Sequence, residues 1–128
     1  AFQLGINKDG KPKNIFFIAC KDVILKEFDI LNAAQICISI SGCERVLIDG
    51  IYMRSLVNWN GDGLDIDGKD IIISNSIIDS EDDALCFKSE YLNKFCENIT
   101  VTNCVLSSLC NGIKFGTVQD PHQWIIKI

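Results

Sequence analysis

The stretch GDGLDIDGKDIIISNSIIDSEDDALCF, Gly61 to Phe87, contains one full period of a repeat. Leu64-Asp65-Ile66 opens it, Ile71-Ile72-Ile73 and Ile77-Ile78 follow, and Leu85-Cys86-Phe87 restarts the pattern 21 residues after Leu64. Working outward, the first short strands begin at Ile15, Ile36, Leu64, Leu85 and Ile113, at separations of 21, 28, 21 and 28. Second strands recur at Val23-Ile24-Leu25, Val46-Leu47-Ile48, Ile71-Ile72-Ile73 and Ile99-Thr100-Val101. Third strands follow at Phe28 and Ile30, Ile51 and Met53, Ile77 and Ile78, and Val105 and Leu106. Between them fall the turn formers of CKD, GCER, DGKD and SEDD.

Three strands of period-two alternation per 21 to 28 residues, with no 3.6-residue periodicity between them, fit an all-β parallel solenoid better than a β-sandwich of hairpins. Each period then forms one coil, stacked on the next at about 4.8 Å, with alternate side chains buried in a continuous interior. The expectation is one unit over residues 1–128, a parallel β-helix of about four to five coils. Because no capping segment is evident and the chain runs from AFQLG to WIIKI, it reads as part of a longer solenoid.

Stacking turns equal offsets into columns. Two positions before each first strand lie Lys13, Ala34, Asp62, Asp83 and Asn111, and one position earlier lie Gly61, Asp82 and Cys110. Asp62 and Asp83 are therefore predicted neighbours on adjacent coils, about 5 Å apart at Cα. If Leu64 and Ile66 point inward, Asp65 and Asp67 point outward, as do Cys86, Lys88 and Lys114 on later coils, and Asp67 should meet Lys88. Asp62, Asp65, Asp67, Asp79, Glu81, Asp82 and Asp83 are seven of the eight carboxylates within the 22 residues from Asp62 to Asp83. Packed carboxylates cannot all remain ionised cheaply, so one should hold a proton at mild pH. A carboxylic acid that protonates a leaving oxygen, beside carboxylates that activate water, is the equipment of glycoside hydrolysis. The competing readings are solvated turn acids, Ca²⁺ ligands, or a carbohydrate-binding β-helix in which the acids are structural.

Taken together, NGDGLD and DSEDDALCFKS on such a solenoid resemble glycoside hydrolase family 28, the polygalacturonases and rhamnogalacturonases. The segments KPKNIFFIACKDVILKEFDILNA and CERVLIDGIYMR resemble the coils that precede the active site in that family. The resemblance implies a right-handed, pectin-lyase-like β-helix. Asn60-Gly61-Asp62 takes the place of an Asn-Thr-Asp motif, and Asp82-Asp83 that of an Asp-Asp pair. It further implies that Asp82 is the general acid and that Asp62 and Asp83 hold and deprotonate the water, with inversion at the anomeric carbon. Asn60, Asp65, Lys88 and Lys114 are the expected substrate contacts, and no metal or cofactor is implied. The expected partner is an acidic polysaccharide or oligosaccharide, and the expected address is secreted or periplasmic. Three departures stand out: Gly61 replaces the Thr, Leu109-Cys110-Asn111 occupies the place of Gly-His-Gly, and no Arg-x-Lys motif appears. A Ca²⁺-dependent polysaccharide lyase acting through the same acids is the alternative enzyme class.

Composition narrows the field further. A formal charge of −5 without clustered Lys and Arg argues against a nucleic-acid partner. No apolar run reaches the roughly 18 residues of a membrane span. Seven cysteines form an odd set without a CxxC pair, so they read as small buried hydrophobes rather than a zinc site or a complete disulfide framework. Cys20 and Cys43 are expected to stack in the solenoid wall. Trp59 is placed either to stack on a sugar or to plug a coil end. His122 reads as a loop residue, and Asn98-Ile99-Thr100 as a chance glycosylation match inside a strand.

Overall fold

Short runs of Ile, Val and Leu bury most surface when each run lies flat on the same run of the next period. The computed structural model describes residues 10–89 and 96–116 and has that arrangement. Its strands are β1 (Ile15–Ile18), β2 (Lys21–Lys26), β3 (Asp29–Leu31), β4 (Ile38–Asp49), β5 (Tyr52–Ser55) and β6 (Leu64–Ser74). They continue with β7 (Ile77–Ser80), β8 (Leu85–Phe87), β9 (Glu97–Thr102), β10 (Val105–Ser108) and β11 (Ile113–Phe115). All pairings among them are parallel. The molecule is a right-handed parallel β-helix of four coils with the opening strand of a fifth. No helix among the described residues is long and apolar enough to cross a membrane.

One wall runs β1-β4-β6-β8-β11, with β2 alongside β4 and β9 alongside β6; the other runs β3-β5-β7-β10. In the second and third coils the first two expected strands are continuous, because β4 and β6 bend at a bulge between Ser41 and Cys43 instead of breaking. Gly68 makes that close passage possible, since a Cβ there would overlap the Cys43 carbonyl. Inside, Ile38, Leu64 and Leu85 form one fully buried row, Ile40, Ile66 and Phe87 a second, and Val46, Ile71 and Ile99 a third. The Phe87 and Phe115 rings extend the second row, stacked with centroids 5.0 Å apart.

Second-strand positions align as expected, Val23 with Val46, Ile71 and Ile99. First strands align with one correction: Ile15 pairs Ile38, not Ile36, and Ile38 pairs Leu64. A two-residue slip leaves every side chain on its own face, so the alternation in ICISI fits either register and turn length decides. The column expected to hold Ala34 holds Ile36 instead.

The turn after each first strand uses a left-handed residue at the same offset, Asp22, Arg45, Asp70 and Asn98, with φ of 58°, 54°, 56° and 54°. A second such column runs Glu27, Gly50, Asn75 and Asn103. Asn and Asp tolerate this conformation best, and here their side chains also bond along the stack. Asn75 donates to Asp49 at 2.7 Å, Asn103 to Asn75 at 2.8 Å and Asn98 to Asp70 at 2.9 Å, while Arg45 forks onto Asp22. Asn98 is thus a ladder residue of the wall. Cys20 and Cys43 stack as expected, the Cys20 N–H donating to Cys43 Sγ at 3.4 Å.

Candidate active site

The acids owe their positions to the turns that lead into β6 and β8. Gly63 N–H donates to the Asp83 carbonyl at 2.9 Å and Leu64 N–H to the Ala84 carbonyl at 2.9 Å, which sets Asp62 beside Asp83 as the column predicted. Gly63 is required here because a Cβ would overlap the Ile78 side chain and the Ala84 carbonyl. The same column continues to Ile36 on the second coil and Asn111 on the fifth. The Asp82 carbonyl accepts from the Ser80 and Ser108 hydroxyls at 2.7 and 2.6 Å, which pins the backbone of the Asp82-Asp83 pair.

Asp83 is only 2% exposed, yet both its oxygens are engaged: Lys114 Nζ donates to Oδ2 at 2.7 Å and Asn111 Nδ2 to Oδ1 at 2.7 Å. Burial pushes its pKa up, but the bonds from Lys114 and Asn111 outweigh it and hold the carboxyl below the usual carboxylate range. The Asp83 bond raises the Lys114 pKa in return.

On the next face of β6, Lys88 Nζ sits 2.8 Å from Asp65 Oδ2 and 3.5 Å from Asp62 Oδ2. The expected Asp67–Lys88 contact is therefore replaced by a bridge to Asp65 and Asp62, the ammonium leaning toward the denser negative charge. Burial works against the charge on Lys88, but Asp65 and Asp62 prevail and raise its pKa. Asp65 is 3% exposed, and burial, supplemented by the Asp62 charge, raises its pKa strongly against the pull of Lys88. Two carboxylates share one ammonium there, and burial favours the protonated form of Asp65.

Between these groups opens a cleft of about 250 Å³. The carboxylates Asp62, Asp82 and Asp83 line it with the ammonium groups Lys88 and Lys114, the amides Asn60 and Gln35, and Ile36. Of the expected site residues, six converge on the cleft and Asp65 lies behind it. Gln35 was missed. It has the same offset as Gly61 and Asp82, but the two-residue slip put an alanine at that place. A second depression, about 290 Å³, lies over Ile24 and Ile72, but its Arg45 is already bound to Asp22 and it gathers no unpaired polar groups.

Comparison with known proteins assigns the family. Residues 4–125 match glycosyl hydrolases family 28. The chain belongs to that family. It is also similar to a probable polygalacturonase of Arabidopsis thaliana, 24% identical over 117 residues that make up 90% of this chain and 25% of that protein. The chain thus spans about a quarter of the length of that relative. No solved structure matches it.

In this family 28 chain Cys110 takes the position where the resemblance led one to expect histidine. It is exposed, accepts from Asn111 Nδ2 at 3.2 Å, and its Sγ lies within 4.8 Å of carboxylate oxygens of Asp82 and Asp83. A similar set joins Asp62, Asp65 and Cys86. Neither suits Ca²⁺, which takes six to eight oxygens, because each set includes a thiol; Lys88 already neutralises the first, and Lys114 and Asn111 occupy both oxygens of Asp83 in the second. Burial pushes the Cys86 thiol up to about 12, far from the thiolate a softer metal needs. Trp59 is 56% exposed beside Asn60, with Lys11 Nζ 4.7 Å from its ring centroid. His122 lies outside the described residues.

Proposed function

We propose that the full-length protein is an inverting glycoside hydrolase acting on pectic polysaccharide, of polygalacturonan or rhamnogalacturonan type, through Asp62, Asp82 and Asp83. The observation that supports this reading best is the cleft itself, where three carboxylates from two adjacent coils face one another beside two ammonium groups. In the reaction, water attacks the anomeric carbon as the glycosidic bond breaks. Asp82 gives its proton to the leaving oxygen, and the Asp62 and Asp83 carboxylates orient the water and take its proton. The bonds from Lys114 and Asn111 that lower the Asp83 pKa favour its ionised form, the form that can accept the proton of the water.

Asn60, Lys88 and Lys114 line the cleft and are proposed to contact the substrate, with Asp65 supporting Lys88 from behind. Lys88 and Lys114 are the cations that the cleft offers to the carboxylates of an acidic sugar polymer. Pectic substrate lies outside cells, so the proposed location is secreted or periplasmic.

A lyase reading is disfavoured by the metal-donor chemistry of the acids and is separable by product. The test uses full-length protein and polygalacturonate. Hydrolysis yields saturated reducing ends, is indifferent to chelator, and falls at least about a hundredfold in Asp82→Asn. Unsaturated products, or a variant with an undiminished rate, would sink the assignment.

A further inference from the structure

Most polar groups in the cleft are satisfied by one another. Lys114 and Asn111 hold Asp83, while Lys88 lies between Asp65 and Asp62. Gln35 differs. It is 6% exposed, lines the same cleft, and its Oε1 has no hydrogen-bond partner among the described residues. Buried amide oxygens are almost always paired, and an unpaired one is disfavoured by the water it has given up. The fold places this acceptor one coil before Asn60 and Asp62, at the offset of Gly61 and Asp82, in line with the acids but carrying no charge.

We propose that Gln35 is a substrate-binding residue that accepts a hydrogen bond from a sugar hydroxyl, in a subsite next to the acid cluster on its second-coil side. Its terminal torsion is broad and two-fold, so a turn of the amide presents the acceptor to the cleft without moving the backbone. A neutral acceptor is also the chemistry that position needs. Asp62, Asp65, Asp82 and Asp83 already crowd the site, and a fifth carboxylate would repel a uronate from the subsite. The nature of the ligand rests on the hydrolase reading; the binding contact does not.

The test uses full-length protein and two homogalacturonan oligosaccharides, the free acid and its neutral methyl ester. Gln35→Ala is expected to raise KM on both by roughly tenfold, with kcat within about twofold and Tm unchanged. Gln35→Glu keeps an acceptor, so its KM stays near that of the parent on the ester and rises on the free acid. Dissociation constants measured in an Asp82→Asn background should follow the KM values. A Gln35→Ala protein with parental KM and Kd overturns the proposal, as does a KM rise accompanied by falls in Tm and kcat, which would mark a structural residue. If the parent binds oligosaccharide without cleaving it, the hydrolase reading fails and the Kd series still decides Gln35. If the parent binds neither compound, both fail.

Discussion

At the scale of single residues, the site turns on how two buried carboxyls differ. Asp83 has a cation and an amide on its oxygens, whereas Asp65 shares one cation with Asp62. Asp83→Asn should lower kcat at least about a thousandfold, if it serves as base, while leaving Lys114 unpaired beside a neutral amide. A rate assay with circular dichroism as the fold control checks this. Asp65 predicts a pH signature of unusual sign. Its folded-state pKa is raised from the ordinary 3.8 to about 8, so the folded chain binds a proton that the unfolded chain has released. Stability should fall as pH rises through that interval and flatten above it. Asp65→Asn has no such proton, and its Tm relative to the parent should climb between about pH 4 and 8. A difference that stays flat, or slopes the other way, would mean that Asp65 is ionised beside Lys88.

At the scale of elements, the sequence showed the second strands at their positions, because Val23, Val46, Ile71 and Ile99 are each preceded by a left-handed turn residue at a fixed offset. The first strands were less legible. Ile36 and Ile38 alternate equally well, and only the length of the turn before Leu64 distinguishes them. Asp62, Asp82 and Asp83 could be found because their two coils share a 21-residue step that the slip did not touch. Gln35 and the burial of Asp65 could not, since the one depends on the corrected register and the other on how Lys88 leans. The turn before β6 carries its own prediction. Gly63→Ala forces a Cβ against Ile78 and the Ala84 carbonyl, at a cost of about 1–3 kcal/mol. It should also displace Asp62, so activity should fall by more than the loss of folded protein accounts for. Denaturant midpoints and kcat measured on the same samples separate the two effects.

At the scale of the whole molecule, the core is a rod threaded through the coils, and each row of it is shared by neighbours on both sides. Ile66 lies between Ile40 and Phe87 with 0% exposure, whereas Ile24, on the outer face of β2, is 68% exposed. A solenoid couples each coil only to the next, so a void at Ile66 loosens the contacts of the third coil with both its neighbours, including the pairing that sets Asp62 beside Asp83. Ile66→Ala should therefore cost about 2–5 kcal/mol, against less than about 0.5 kcal/mol for Ile24→Ala. In urea titrations of the full-length protein the first variant should lower the midpoint and the second should not. A larger shift for Ile24→Ala than for Ile66→Ala would mean that the inward and outward faces of the wall have been exchanged, and with them the side on which the acids meet.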